Sequence, residues 1–265
     1  MHLTTLEIIA LVVTGLAAGS LGGLLGIGGS VIMIPVMSIL FARSGRYDHH
    51  LAQAAAMCVN LVVALPAARQ HAKQGNVRPD LVRWMAPAAL ACIIGGVLLS
   101  NIFDGRTLAR LFALFLAYVV VTNVIKILRK TPDHDEDDHD VTPPRALFCG
   151  GVMGSFAGLL GIGGGGIAVP LTHVVCRVPL KHAIGASSTV MCITAGIGAL
   201  LKVATLHTHD QDWHKAILLA LILAPSALLG GALGARLTHA LPLIWVRLVF
   251  TIVIAIAALR MAGVV

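Results

Sequence analysis

The sequence predicts an all-α polytopic membrane protein of about eight transmembrane helical blocks in two homologous repeats, the first block of each broken at a Gly-rich motif. Three observations carry that expectation. Of 265 residues, 57% are hydrophobic and only 12% charged, with a mean hydropathy of +0.90, far more apolar than a soluble domain. The charges fall in clusters, leaving uncharged stretches of the length needed to cross a hydrocarbon core, about 20 residues per helix. A segment near the start also recurs 135 positions later without a gap.

The apolar blocks run over residues 5–41, 51–68, 81–100, 107–128, 146–176, 183–204, 215–235 and 242–263. The first carries Glu7 but no Lys or Arg and runs well past a secretory signal core, so it reads as a span. Its 37 residues would make a straight helix longer than the whole bilayer, so a break is expected in it. Residues 1–130 form the first membrane repeat and 145–265 the second. Between them TPDHDEDDHDVTPP, residues 131–144, is charged and bounded by proline; it is expected outside lipid, as a cytoplasmic linker.

The repeat rests on GSLGGLLGIGGSVIMIPV at 19–36 and GSFAGLLGIGGGGIAVPL at 154–171, identical at 11 of 18 positions with Pro35 and Pro170 in register. Glycine favours helix poorly, and unpaired backbone groups in lipid cost several kcal/mol, so such a run must be shielded by protein or water. Unwound segments are expected at Gly26 to Ser30 and Gly161 to Gly166, with half-helices from about Val31 and about Ile167. A half-helix offers free N–H groups and a partial positive charge, which bind anions, and broken helices place transporter sites near the midplane. Pro35 and Pro170 free the carbonyls of Val31 and Gly166 as well.

The candidate substrate-binding residues are therefore Gly26, Gly28, Gly29, Ser30, Asn60, Gly161, Gly163, Gly164, Gly165 and Gly166, with the hydroxyl cluster Ser187, Ser188 and Thr189. His173, read as the only histidine well inside a block, is the candidate for proton coupling. The competing reading of GLLGIGG is a surface for close helix packing. Gly161, Gly163 and Gly166 also fit a nucleotide-binding G-x-G-x-x-G, but the first copy fails that pattern at Val31 and no strand precedes it.

All twelve acidic residues lie in connections, in the linker or, as Glu7, at a block end. A cation substrate would call for hard oxygen ligands or imidazole and thiolate clusters, so a small anionic substrate is favoured. The net charge of +7 is spread singly over block ends, a membrane pattern and not a nucleic-acid footprint. Arg69, Lys202 and Arg236, near block ends, are expected to snorkel. His207, His209 and His214 are read as lying in a short exposed connection without further metal ligands, so no metal site is expected. The five cysteines lack paired spacing and read as packing residues. No cofactor is expected, and the absence of a Walker A sequence removes ATP bound by this chain as the energy source. A divalent-metal permease and a membrane-embedded enzyme are the alternatives, and a homo-oligomer is left open.

With these residues, the sequence resembles the sulfite exporter TauE/SafE family of membrane permeases. The resemblance is carried by GLLGIGGSVIMIPV and GLLGIGGGGIAVPL, by His71 with Gly75-Asn76-Val77, and by Gly185-Ala186-Ser187-Ser188, where such proteins often read Gly-Thr-Ser. It implies export of sulfur-containing anions such as sulfite or sulfonates across the cytoplasmic (inner) membrane, without ATP. Topology depends on the first block. A single crossing would make the halves parallel and put 11 of the 19 Lys and Arg on the N-terminal side. Doubling back would invert them and put 12 of 19 on the linker side.

Overall fold

The structure is a computed structural model that describes residues 3–25, 28–42, 45, 47–129, 140–237 and 243–262. Ten α-helices make up almost all of it: α1 (Thr5–Leu25), α2 (Ser30–Ala42), α3 (His49–Lys73), α4 (Pro79–Ile102), α5 (Gly105–Arg129), α6 (Pro143–Leu160), α7 (Gly165–Val175), α8 (Leu180–Ala204), α9 (Trp213–Leu237) and α10 (Leu243–Met261). A short 3-10 turn, Leu206–His209, joins α8 to α9. Among the described residues, six helices are long and apolar enough to cross a membrane: α1, α3, α4, α5, α8 and α9. Their outward faces expose large apolar side chains such as Leu98, Leu114 and Leu221, which only a lipid surround makes favourable.

The first and fifth apolar blocks are each two helices. The second helix of each pair is short, 13 residues for α2 and 11 for α7, roughly 20 Å and 16 Å of rise. They begin at Ser30 and Gly165, one and two residues before the sequence expectation. Gly164, at φ +87, already serves as the N-cap of α7, and its carbonyl accepts from Ile167 and Ala168. Two other boundaries differ for similar reasons. α3 starts at His49 because Asp48 caps it, its carboxylate accepting from the Leu51 N–H at 2.9 Å. α6 starts at Pro143, inside the stretch assigned to the linker, because proline at the first helical positions gives up no needed donor. The rest of the linker, 130–139, lies outside the described residues.

The chain doubles back at both breaks. A side-chain carbon at Gly164 would stand 2.6 Å from Met153 Cγ and 3.3 Å from Ala157 Cβ, so the chain after α6 returns alongside α6. At the far end of α7 the Cys176 carbonyl accepts from the Asp140 N–H at 3.0 Å, and Cys176 Sγ lies 4.0 Å from Cys149 Sγ, beside the start of α6. In the first half, Gly29 faces Ala18 in the same way. Helices α3 and α8 then run antiparallel: His50, at the start of α3, meets Lys202 near the end of α8, while Asn76, just after α3, meets His182 and Gly185 early in α8. Doubling back is thus the geometry adopted, the arrangement for which the sequence count puts 12 of the 19 Lys and Arg on the linker side.

The most extensive packing pairs match one another when the first five helices are exchanged for the last five. α4 packs on α6 and α9 on α1; α3 packs on α9 and α8 on α4; α2 packs on α3 and α7 on α8; α3 with α8 and α5 with α10 map onto themselves. Small residues set the closest of these contacts. Gly150, Gly154 and Gly158, four residues apart on α6, lie so close to α4 that a Cβ would strike the carbonyl oxygens of Met85, Ala89 and Ile93. Gly15 and Gly19 on α1 stand likewise against Leu223 and Ala227 of α9.

Candidate functional site

Both breaks are built from glycines in a conformation that other residues rarely adopt. Gly28 has φ +84, and Gly161, Gly163 and Gly164 have φ +74, +67 and +87. Gly161 closes α6 as a left-handed cap, donating to the Ala157 carbonyl at 2.9 Å. In the other half, Gly29 supplies the carbonyl that accepts from Ile32 and Met33. The N–H groups of Ser30 and Val31, and of Gly165 and Gly166, precede the first intrahelical bond of their helices and are free of it.

The two turns meet around one side chain. Asn60, midway along α3, is completely buried, and neither its carboxamide oxygen nor its nitrogen has a hydrogen-bond partner. A side-chain carbon at Gly28 would stand 3.5 Å from Asn60 Oδ1, and one at Gly163 would stand 3.1 Å from Asn60 Nδ2. Met191 of α8 closes the same space, its Sδ 3.4 Å from that position on Gly28 and 3.2 Å from that on Gly163. The Ile162 carbonyl, from the second turn, is 3.6 Å from the same position on Gly28, so the backbones of the two breaks face each other directly.

One face of each flanking helix supplies the remaining polar groups. On α3, Gln53 lies two turns before Asn60; its amide nitrogen donates to the Leu159 carbonyl at 3.0 Å, and its Oε1 is buried without a partner. On α8, Ser187, Met191 and Thr194 share a face. Thr194 donates to the Gly163 carbonyl at 3.0 Å, and Ser187 Oγ is buried without a partner. Ser30 Oγ, at the first residue of α2, is likewise buried and unpaired. Leaving a buried polar atom unpaired costs about 1–3 kcal/mol. Five such atoms fall on Ser30, Gln53, Asn60 and Ser187, which makes this level the candidate site. Among the described residues the acids lie at helix ends or in connections, Glu7, Asp48, Asp80, Asp104, Asp140, Asp210 and Asp212, well away from the Asn60 level.

The sequence-derived candidates divide accordingly. Gly28, Asn60 and Gly163 come together directly, with Ser30 and Gly29 at the head of α2 and Gly161, Gly164, Gly165 and Gly166 at the second turn and the head of α7. Ser187 and Ser188 are buried on α8, whereas Thr189 spends its hydroxyl on the Gly185 carbonyl of its own helix at 2.9 Å. Gly26 lies outside the described residues. His173 sits in the last turn of α7, at the opposite end from the glycines, and its Nδ1 is 2.9 Å from the Val178 carbonyl. Gln53 and Met191 were absent from the sequence-derived set.

Comparison with known proteins gives the family. The family profile described as sulfite exporter TauE/SafE matches residues 11–261. The chain belongs to the TauE/SafE family. Among curated relatives, this TauE/SafE chain is 30% identical to the "Probable membrane transporter protein MamO" of Paramagnetospirillum magneticum, over 96% of the chain but 44% of that protein. It therefore spans less than half the length of the two MamO proteins it matches. It is 27% identical to a "Probable membrane transporter protein" of Methanocaldococcus jannaschii, over 95% of the chain and 94% of the relative. Another protein of that description from Haemophilus influenzae is 26% identical over 96% and 97%. By its family and its apolar helices the chain is a multi-pass membrane protein.

A second polar cluster corrects two expectations. Lys202 does not snorkel: it is 1% exposed, and its Nζ is 2.9 Å from His50 Nδ1, 2.7 Å from Ser100 Oγ and 2.9 Å from Asn101 Oδ1. The apolar surroundings of α3, α4 and α8 leave the ammonium only these acceptors. The His207 to His214 connection is not uniformly exposed either, because the His209 ring stacks on His50 at 3.6 Å and its Nε2 is buried. Burial, with the Lys202 charge beside it, holds the His209 imidazole below its usual range.

Proposed function

We propose that this TauE/SafE protein moves small sulfur-containing anions, such as sulfite or organosulfonates, outward across the cytoplasmic (inner) membrane by alternating access, without ATP. The anion sits between the two glycine turns, held by the N–H groups that open α2 and α7, by the Asn60 carboxamide and by the Ser30 and Ser187 hydroxyls. The single observation that carries this reading is Asn60, fully buried with both amide atoms unpaired where Gly28 and Gly163 converge. Two converging helix N-termini, with no carboxylate near them among the described residues, favour a negative solute.

In this reading the halves, 1–130 and 145–265, are inverted copies of a four-block unit, the blocks holding α1 and α6 each folded into a span plus a returning half-helix. Exchange of the two halves opens the site first to one face and then to the other. The motif repeat and the exchange symmetry of the helix contacts support it. The linker lies in the cytoplasm, since its face bears the larger share of Lys and Arg. The test is flux of radiolabelled sulfite and methanesulfonate in proteoliposomes of the full chain. Concentration-driven flux that Asn60→Leu abolishes supports the reading. Movement of a divalent cation with no anion flux overturns it.

A further inference from the structure

We infer that Lys202 and His50, with the His209 ring stacked on His50, form the proton-binding site of the transport cycle, at the end of the bundle opposite the linker; the inference rests on the transporter reading above. The geometry fixes how the proton is held. All three ammonium hydrogens of Lys202 have acceptors, and each acceptor is neutral: His50 Nδ1, Ser100 Oγ and Asn101 Oδ1. His50 must then accept at Nδ1 and carry its own hydrogen at Nε2, where the Phe103 carbonyl lies 3.2 Å away to receive it. Lys202 and His50 thus share one positive charge. Transfer within the pair breaks one N–H bond at Nζ and forms one at Nδ1, leaving that charge unchanged.

A buried cation whose hydrogen bonds reach no carboxylate is costly in a membrane, and such residues mark ion pathways. The groups around it limit the cluster to that one charge. His209 stacks on His50 with the rings 11° from parallel, so protonating it would set a second cation against the first. The other charged or titratable groups facing the cluster are Asp48 and His49 at the start of α3, Asp104 ahead of α5, and Asp210 after the 3-10 turn. Arg106, at the start of α5, lines a neighbouring pocket of about 480 Å³ together with Tyr47, Asp48, His49 and Asp104.

The position couples proton to gate. Lys202 ties the end of α8 to the start of α3 and the end of α4, three helices that must part at this face when the central site opens toward it. Parting them breaks all three bonds and delivers Lys202 and His50 to water, where their proton exchanges. His173, at the linker end of α7, has the Val178 carbonyl 2.9 Å from its Nδ1.

The experiment separates coupling from translocation. Full-length wild type, Lys202→Met and His50→Gln are reconstituted in proteoliposomes, and radiolabelled sulfite is followed in exchange, with sulfite on both sides and no pH difference, and under an imposed pH gradient. The expected result is exchange near the wild-type rate in both variants, with loss of the acceleration that the gradient gives wild type. Acceleration that survives in Lys202→Met overturns the inference. So does loss of exchange in a variant that elutes as folded as wild type, which would place the cluster on the anion path. A substrate-free readout stands beside these: in protein labelled with nitrogen isotopes at lysine and histidine, the Lys202 and His50 signals should change together with pH, and signals that never move overturn the site. Absence of anion exchange in wild type would sink the transport reading alone, the isotope titration still deciding the proton site.

Discussion

The glycines on the helices and the glycines in the turns belong to one repeated motif, yet they do opposite work. Gly154 and its neighbours on α6 have ordinary helical backbone and matter because a Cβ would enter the backbone of α4. Gly161, Gly163 and Gly164 have positive φ and matter because the chain must reverse there. The first set is about contact between helices, and the second about conformation and access to backbone N–H groups. The two readings of the motif, packing surface and broken helix, are therefore both correct, a few residues apart.

That contrast can be broken most severely at the packing set. Gly154→Leu drives a branched side chain into the Ala89 carbonyl, a clash that backbone on both sides cannot relieve. Overpacking of this kind costs about 3 kcal/mol or more, and the expected outcome is loss of monodisperse folded protein after extraction, read by size-exclusion chromatography. Folded protein in wild-type yield would mean that α4 and α6 are not held at this distance. Asn60→Leu probes the other set. It removes two unpaired buried atoms at similar volume, so thermal stability should hold or rise by about 1 kcal/mol, while anion flux falls at least about tenfold, the scale of one lost charge-assisted contact. A variant that transports normally would remove Asn60 from the site.

The break was legible in sequence because Gly-Gly followed by proline, twice in register, has few helical solutions. The helical blocks were legible because lipid demands long uncharged runs. The direction of the chain after each break was not, since it depends on Met153 and Ala157 meeting Gly164, a contact that hydropathy does not encode. Lys and Arg counts for the two topologies were too close to choose between them. Gln53 was passed over as one polar residue among alanines; its importance comes from Leu159, 106 positions away. Lys202 looked like any long side chain near a block end, and only His50, 152 positions earlier in sequence, and the end of α4 reveal that it is enclosed.

A smaller effect is expected at the turns themselves. Gly163→Ala keeps the fold but forces a side chain at φ +67, costing about 1–2 kcal/mol, and places its Cβ 3.1 Å from Asn60 Nδ2 and from Met191 Cγ. A fall in the thermal midpoint together with reduced anion flux is expected. Gly95→Ala, where nothing lies within 4 Å, is the matched control and should leave both unchanged. Equal effects at the two positions would erase the distinction between turn and helix glycines.

The smallest expected effect lies outside the membrane. Asp104 precedes α5, and its carboxylate accepts from the Thr107 hydroxyl at 2.6 Å and from the N–H groups of Arg106 and Thr107 at 3.1 and 3.3 Å. Those bonds, the Thr107 hydroxyl first, hold its carboxyl below the usual range. A carboxyl lowered on folding adds stability that is fully present above its unfolded value, about 3.9, and that is lost as pH falls through its folded value. Asp104→Asn keeps an acceptor for the cap but carries no charge, so its thermal midpoint should lie slightly below wild type at neutral pH and converge on it in acid. The check is a pair of melting curves across that range. A constant gap would assign the contribution of Asp104 to hydrogen-bond geometry and leave none to its ionisation.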